Sequence, residues 1–423
     1  AASDVYKRQV EVASIAYFDF DGMVDVRVIS NKERVNSARV RPLSYKITPD
    51  CVGDTVTFSL SHPRNLSVEV NGDIFHNLHL FANPIDKFRP SDKEIKRALK
   101  KKKGSNLIYF GPGVHNLPND TLFVPSGTTV YIDGGTRVYG NIFTEGAHDV
   151  NIFGRGEVHP DGRGAGVWVR RSKNVRIDGI VVSQLPIGQC DSVELTNVKS
   201  ISYYGWGDGM DVFSSSNVIL DGVFCRNSDD CTAVYASTQG FKGGSNNVLV
   251  KNATLWADVA HPINIGGHGD PNGMDTVQNV TFRNIDILDQ AEKQIDYQGC
   301  LTINPGDNTL VRNITFENIR IEDFRNGQLV NFRISFNPKY CVSTGRGIHN
   351  VLVKDVTYNG SGENLSIIAG YDENHKISGI RFVNLVVNGR KITDDMPGKP
   401  KWYKTGDMAG IFIGEHVENI SFE

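Results

Sequence analysis

Residues 247–252, Asn-Val-Leu-Val-Lys-Asn, have two close copies, Asn-Val-Thr-Phe-Arg-Asn at 279–284 and Asn-Ile-Thr-Phe-Glu-Asn at 313–318. Each copy is an asparagine, an aliphatic residue and then alternating polar and apolar side chains. Alternation with a period of two is typical of a short strand that buries one face. The three stretches therefore predict equivalent β-strands in a repeating structure.

The same start recurs along most of the chain, at intervals of 20 to 40 residues. The starts are Asp149-Val150, Asn174-Val175, Asn197-Val198, Asn217-Val218, Asn247-Val248, Asn279-Val280, Asn313-Ile314, Asn350-Val351, Gly379-Ile380 and Asn419-Ile420. Repeats of this length without a helical pattern indicate a solenoid, in which each coil stacks on the next. We predict a right-handed parallel β-helix whose Asn residues occupy tight corners and could form an internal ladder. A β-sandwich or propeller is the alternative, although the uneven intervals disfavour a propeller.

The chain divides into four segments. Residues 1–9 join poorly to the residues after them and are interpreted as a cloning or assembly scar. Residues 10–85 are predicted to form a small antiparallel β-sandwich, because Asn71-Gly72 between two alternating stretches is a hairpin signal. Residues 86–105 are predicted to be a linker with a short helix, and residues 106–423 the β-helix. Because the last repeat stops without a polar cap, we expect the natural protein to continue beyond it.

Composition excludes several classes of partner. The 423 residues carry a net charge of −3, which argues against nucleic acid. No run of 18 apolar residues occurs, so no membrane span is predicted, and the protein is expected to be a monomer. The six cysteines are expected to be buried free thiols, with a disulfide between Cys225 and Cys231 as the alternative.

Three clusters of polar residues stand at similar points of successive repeats. They contain Asp208, the pair Asp229 and Asp230, and His261, each 11 to 14 residues after an Asn-Val start. Stacked parallel strands lie roughly 4.8 Å apart, so the clusters should be neighbours on one exposed face. Crowded carboxylates repel, and that repulsion can keep one protonated beside an ionised one. A neutral acid beside an ionised base is what hydrolysis of a glycosidic bond requires.

These clusters resemble the motifs of the polygalacturonase family of glycoside hydrolases (family 28) and of the related dextranase and isopullulanase family (family 49). The polygalacturonase pattern is Asn-Thr-Asp-Gly-x-Asp, Asp-Asp-Cys, Gly-His-Gly and Arg-Ile-Lys. Residues 207–211 (Gly-Asp-Gly-Met-Asp) match the first motif without its Asn-Thr lead, and residues 229–231 match the second. Residues 260–262 read Ala-His-Pro, so both glycines of the third motif are replaced. The fourth motif is missing, since residues 299–304 read Gly-Cys-Leu-Thr-Ile-Asn.

The resemblance implies an inverting hydrolase of a polysaccharide, most simply a pectic one, that works without a metal or other cofactor. Asp229 would protonate the leaving oxygen, Asp208 and Asp230 would hold and deprotonate the attacking water, and His261 would tune the acid or bind substrate. The missing Arg and Lys grip the galacturonate carboxylate in the family. A dextranase-like hydrolase of a neutral α-glucan therefore stays open. No signal peptide is visible, yet a secreted or periplasmic location is expected.

Further residues are predicted to bind substrate: Asp211, Trp206, Tyr235, His268, Arg333 and Lys339. Trp206 and Tyr235 could stack on sugar rings, and Asp211 could instead be a corner residue. His268 competes with His261 as the histidine of the third motif, because it has glycine neighbours. Arg333 and Lys339 could replace the missing cations or lie on a surface loop.

Two readings of another class stay open. One is a β-helix polysaccharide lyase, which would need an Arg or Lys base, and no such residue occurs within the acid clusters. The other is a glycan-binding stalk without catalysis. Endo and exo action are not distinguished, because the insertions at 264–276, 286–299 and 386–410 could either border an open groove or block it.

Overall fold

The computed structural model describes residues 13–100, 104–296, 298–362 and 364–423. The predicted scar at 1–9 lies outside these residues. The chain forms two compact units, one ending at Asp92 and the other beginning at Lys93. The division falls within the segment predicted to be a linker, at the start of helix α1 (Asp92–Leu99).

The first unit is a sandwich of two small sheets. Its strands are β1 (Ser14–Phe20), β2 (Val24–Ile29), β3 (Ala38–Arg41), β4 (Asp50–Val52), β5 (Thr55–Leu60), β6 (Arg64–Val70) and β7 (Asp73–Pro84). One sheet has the order β1-β7-β6-β3 and the other β2-β5-β4, with one apolar core built from both. The predicted hairpin is confirmed, since Asn71 and Gly72 have positive φ and join antiparallel β6 and β7. The prediction of a wholly antiparallel sandwich is wrong, because β1 and β7 are parallel.

The second unit is a right-handed parallel β-helix, as predicted. Its strands are β8 (Leu107–Phe110), β9 (Gly113–Phe123), β10 (Thr129–Ile132), β11 (Thr136–Glu145), β12 (His148–Gly154), β13 (Glu157–His159), β14 (Val167–Arg170), β15 (Lys173–Asp178), β16 (Val181–Val182), β17 (Ile187–Gly188), β18 (Asp191–Thr196), β19 (Lys199–Ile201), β20 (Met210–Phe213), β21 (Ser216–Asp221), β22 (Phe224–Asn227), β23 (Thr232–Tyr235), β24 (Ser245–Lys251), β25 (Thr254–Ala257), β26 (Ile263–Ile265), β27 (Thr276–Gln290), β28 (Leu301–Ile303), β29 (Leu310–Ile321), β30 (Val330–Arg333), β31 (Gly347–Tyr358), β32 (Ser366–Ala369), β33 (Ile377–Val387), β34 (Arg390–Ile392), β35 (Ile411–Ile413) and β36 (Val417–Phe422). Strand β34 alone among these pairs antiparallel, with β33.

The aliphatic residue of each repeat stacks on its counterpart in the next coil. The column is Val150, Val175, Val193, Val218, Val248, Val280, Ile314, Val351, Ile380 and Ile420. The residue before each has positive φ, for example 56° at Asn247 and 71° at Gly379. Asparagine and glycine tolerate this left-handed conformation, so the predicted corners are confirmed.

The predicted repeat start at Asn197 is wrong. Its coil begins instead at Ser192-Val193, and Ser192 has a φ of 60°. Asn197 occupies the following corner, in line with Gly222 and Asn252. Because asparagine suits both corners, the pattern alone does not distinguish them.

The asparagine ladder lies on the surface, not inside the helix as predicted. Asn247 Nδ2 donates to Asn217 Oδ1 at 2.7 Å, and Asn284 Nδ2 donates to Asn252 Oδ1 at 2.7 Å, in exposed positions. The interior holds apolar stacks instead, such as Phe282 on Phe316, with ring centroids 5.9 Å apart. A left-handed corner turns its side chain out of the coil, where water solvates the unused amide groups.

Two further expectations concern the cysteines and the last strand. All six cysteines are free thiols, so the alternative of a disulfide between Cys225 and Cys231 is wrong; four are buried as predicted, whereas Cys51 and Cys341 are half-buried. Phe422 of β36 is buried and its ring stacks on Phe382 at 4.7 Å. A longer natural chain stays a prediction. In the described ranges, we find no helix with the length and apolar character to cross a membrane.

Candidate active site

The predicted residues lie in turns between strands of three successive coils. Asp208 precedes β20, Asp230 precedes β23 and His261 precedes β26, each by two residues. The three strands are in register, with Met210 opposite Thr232 and Thr232 opposite Ile263. The parallel stack therefore brings the three residues to equivalent positions of neighbouring coils.

The carboxyl groups of Asp208, Asp229 and Asp230 lie close together, as predicted. Each contributes a carboxylate oxygen, and these oxygens lie within 4.8 Å of one another. They line a cavity of about 360 Å³ together with His261. The site is less exposed than predicted, because Asp230 and His261 are buried and Asp208 and Asp229 are half-buried.

Asp230 accepts hydrogen bonds on both carboxylate oxygens. Its Oδ1 lies 2.5 Å from His261 Nδ1 and accepts the His261 backbone N–H at 3.2 Å. Its Oδ2 accepts Tyr235 OH at 2.7 Å and Asn264 Nδ2 at 2.9 Å. Donors of this kind stabilise the charged form of a carboxyl group. Although burial raises the pKa of Asp230, the charge and hydrogen bonds of His261 and the bonds from Asn264 and Tyr235 hold it below its ordinary value.

The pKa values of Asp229 and Asp208 are shifted in the opposite direction, upwards. Burial, followed by the charges of Asp208 and Asp230, raises the pKa of Asp229 well above its ordinary value, against a smaller opposing effect of His261. Burial and the charges of Asp211 and Asp230 raise the pKa of Asp208 likewise. Carboxyl groups coupled in this way titrate as a pair, one holding a proton while the other is ionised. The arrangement offers one ionised carboxylate, Asp230, beside two carboxyl groups, Asp208 and Asp229, whose protonated forms are favoured.

Asp211 lies beside this group, at the start of β20, and is buried. Burial, then the charges of Asp230 and Asp229, raise its pKa well above the ordinary value. Its Oδ1 has no hydrogen-bond partner among the residues that the structure describes. The alternative of a corner residue is wrong, because Asp211 lies within a strand.

The Asp211→Asn variant should be more stable than the wild type at pH 7, because the amide cannot take on the negative charge that burial and the neighbouring Asp230 and Asp229 disfavour. Because folding raises this pKa, the stability that Asp211 contributes at low pH is lost as pH rises through its folded pKa. The amide does not titrate, so the variant does not lose stability in this way. The difference in melting temperature between Asp211→Asn and the wild type should therefore grow from pH 4 to pH 7. A variant that is less stable, or an advantage independent of pH, would contradict the assignment.

The predicted aromatic residues and His268 also line the cavity. Trp206 is 64% exposed at φ 63°, a left-handed conformation that is strained for tryptophan. Tyr235 packs edge to face with His268, with ring centroids 5.0 Å apart. His261 contacts Asp230 directly and is therefore the histidine of the acid group. His268 contacts Tyr235, which lies between it and Asp230.

Arg333 and Lys339 are not among the described residues that line the cavity. Arg333 stands one coil beyond Asn304, and its Nη1 donates to the Asp296 carbonyl oxygen at 3.0 Å. The Lys339 amino group lies 4.7 Å from the centre of the Tyr340 ring. The cavity therefore gives no support to the prediction that Arg333 and Lys339 replace the Arg and Lys of the missing fourth motif.

Sequence reasoning missed several residues of the cavity. They are Asn264, Gln298, Asn304, Ser335, Asn337, Tyr340 and Cys341. Asn264 could have been found, because it stands three residues after His261, at the register position of Asp211. The others lie in loops without a repeat pattern.

Among the residues that the structure describes, two clusters have ligand atoms close enough to hold a metal ion. One is Asp208, Asp229 and Asp230, and the other is His268, Asp307 and Cys341, each with its atoms within 4.8 Å. In the second cluster Asp307 Oδ1 already accepts the backbone N–H of Val342 at 2.8 Å. The prediction that no metal is needed stays a prediction.

The fold agrees with comparisons to known proteins. Residues 166–396, more than half of the chain, match the profile of Glycosyl hydrolases family 28. The chain belongs to this family. It is 24% identical over 295 residues to the "Probable endopolygalacturonase D" of Neosartorya fischeri, covering 59% of this chain and 57% of that protein. It is 27% identical over 219 residues to the "Polygalacturonase" of Juniperus ashei, covering 49% of this chain and 39% of that one. The chain thus spans about half the length of these relatives or less.

Two solved structures share the fold over nearly the whole chain. The family 28 exopolygalacturonase of Yersinia enterocolitica has a TM-score of 0.55 at 12% identity, covering 98% of both chains. Dex49A from Penicillium minioluteum has a TM-score of 0.57 at 14% identity, covering 96% of this chain and 83% of that one. At these identities the likeness concerns the fold alone.

Proposed function

We propose that this protein is an inverting glycoside hydrolase of a pectic polysaccharide, with Asp208, Asp229 and Asp230 as catalytic residues. One observation carries the proposal: neighbouring carboxyl groups within 4.8 Å have pKa values displaced in opposite directions. Such a set supplies an acid and a base at the same pH. Family membership and the polygalacturonase relatives support the pectic substrate.

In the proposed reaction the bond between the anomeric carbon and the glycosidic oxygen breaks. Asp229 gives its proton to the leaving oxygen. A water oxygen bonds to the anomeric carbon from the opposite face, while Asp208 and Asp230 hold the water and take up its proton; Asp230, whose pKa is lowered, is the ionised member of this pair. The charge of Asp230 also helps to keep the pKa values of Asp208 and Asp229 raised.

The stereochemical outcome depends on whether water or a carboxylate attacks the sugar. In inverting enzymes the two carboxyl groups are usually about 6.5–9.5 Å apart, which leaves room for a water molecule, and in retaining enzymes they are about 5–5.5 Å apart. Both oxygens of Asp230 accept hydrogen bonds, which makes this carboxylate a poor nucleophile. Inversion is general for family 28, to which the chain belongs, and supports attack by water.

Hydrolysis of a neutral α-glucan is the second candidate. It is supported by the cavity, where no Arg or Lys occurs among the described lining residues to neutralise a uronate. The same feature disfavours a β-helix lyase that abstracts a proton with an Arg or Lys base. A secreted or periplasmic location follows from the proposed polymeric substrate, and a monomer stays our expectation.

A screen of the purified protein against galacturonans, rhamnogalacturonan, dextran and pullulan tests the proposal. We expect new reducing ends from a pectic polymer. Ultraviolet absorbance of an unsaturated product would identify a lyase, and binding without reducing ends would identify a stalk. Reducing ends from dextran or pullulan alone would favour the second candidate.

A further inference from the structure

We propose that the enzyme acts only at a chain end and releases products of a single short size. The proposal rests on the hydrolase function proposed above and adds the mode of attack. Its basis is residues 335–344, here called the wall loop, of which Ser335, Asn337, Tyr340 and Cys341 line the cavity that contains the acids.

The wall loop follows β30 but returns to a coil nearer the acids. The thiol of Cys341 donates to the carbonyl oxygen of Gly267 at 3.3 Å. Gly267 follows β26, and the coil of β28 lies between β26 and β30. The loop therefore reaches back over two coil spacings, roughly 10 Å at about 4.8 Å each.

Backbone hydrogen bonds fix the wall loop to the intervening coil. Asp307 N–H donates to the Ser343 oxygen at 2.9 Å, and Asn308 N–H donates to the Thr344 oxygen at 2.8 Å. Asp307 Oδ1 also accepts the backbone N–H of Val342 at 2.8 Å. Because residues 307–308 and residues 342–344 each donate hydrogen bonds to the other segment, the wall loop is held in place and is not a free lid.

The wall loop lies close to the catalytic acids. Tyr340 and Cys341 line the same cavity as the acids, and the Cys341 thiol lies within 4.8 Å of a ring nitrogen of His268. His268 packs against Tyr235, whose hydroxyl group donates to Asp230 at 2.7 Å. Only two side chains thus separate the wall from Asp230. The cavity of about 360 Å³ is near the lower end of the roughly 300–1,000 Å³ range of ligand sites.

The position of the wall loop distinguishes endo action from exo action. An endo-acting enzyme must let the polymer pass beyond the scissile bond in both directions. For a polymer bound along the stack of coils, the wall loop occupies the direction that runs from β26 towards β30, within two side chains of Asp230. A polymer can therefore bind productively only with one of its ends against the wall.

The size of the first products tests the proposal in the wild-type protein. A polymer hydrolysed in the glycan screen is digested until a few per cent of its bonds are cut, and products and viscosity are followed together. We expect one product size from the first time point and nearly constant viscosity. A ladder of oligosaccharides with a rapid fall in viscosity would overturn chain-end action while leaving the hydrolase function intact. Absence of new reducing ends on every polymer would instead overturn the proposed function, and this proposal with it.

A matched pair of variants tests the role of the wall itself. Tyr340→Ala removes a large side chain from the cavity side of the loop. Val342→Ala alters an exposed residue of the same loop outside the cavity lining. We expect several-fold more of the longer products from Tyr340→Ala and a single product size from Val342→Ala. Unchanged products from a folded Tyr340→Ala variant would contradict the role of the wall, and the wild-type measurement decides the proposal if that variant does not fold.

Discussion

The Asp229→Asn variant should lose hydrolytic activity by roughly 10²–10⁴-fold, the usual contribution of general acid catalysis, and should fold normally. The amide has nearly the shape of the carboxyl group but has no proton to give to the leaving oxygen. Steady-state rates on the preferred polymer, with thermal unfolding as the test of folding, check this result. A control is Asp221→Asn, which changes a surface aspartate paired with Lys251 and should leave the rate unchanged. A folded Asp229→Asn protein with more than about a tenth of the wild-type rate would assign the acid to another residue.

The pH dependence of the wild type adds a second readout. The raised pKa of Asp229 keeps its carboxyl group protonated above the ordinary aspartate range. The rate should therefore fall on the alkaline side as Asp229 loses its proton, and on the acid side as the base gains one. The residual activity of Asp229→Asn should lack the alkaline fall. A fall that persists unchanged in this variant would place the acid elsewhere.

The Asp258→Ala variant should lose about 3–5 kcal/mol of unfolding free energy, because it leaves a buried charge without its partner. Asp258 Oδ2 accepts Arg226 Nε at 2.9 Å, and both side chains are fully buried. Asp258 Oδ1 accepts Arg325 Nη2 at 2.7 Å. The Arg226 guanidinium group also lies 3.9 Å from the centre of the Trp256 ring, so it cannot move out to water without unpacking that ring.

A surface pair provides the control for this experiment. Glu317 binds Arg283 at 2.7 Å, and the Arg283 side chain is 55% exposed. Glu317→Ala should cost about 0–1 kcal/mol, as exposed ion pairs usually do. Urea unfolding of both variants checks the comparison. Equal losses would show that the buried ion pair is not a main contributor to the stability of the coils that carry the acids.

The sequence predicts the solenoid and the acid group because both depend on local, repeating constraints. Each Asn-Val start combines a left-handed corner with an inward aliphatic residue, and the parallel register carries Asp208 and Asp230 to the same position of adjacent coils. The prediction of a repeat start at Asn197 is wrong because Ser192 occupies the equivalent corner of that coil. The parallel pairing of β1 with β7 joins residues far apart in the chain, and no local pattern encodes it.

The surroundings of the acids could not be predicted in the same way. The wall loop is short and has no repeat, and its place depends on hydrogen bonds to Asp307 and Gly267 that only the folded coils bring together. The prediction for Arg333 depends on its charge and on its place one or two coils after the acids. Its distance from the acids depends on how many coils intervene, and its guanidinium group is engaged by Asp296.

The anomeric configuration of the first-formed product tests the central claim most directly. Proton NMR of a digest, recorded before mutarotation, distinguishes the two anomers of the new reducing end. Attack by water held between Asp208 and Asp230 predicts a product of inverted configuration. A product of retained configuration would mean that a carboxylate attacks the sugar, and it would contradict the roles assigned to all three acids.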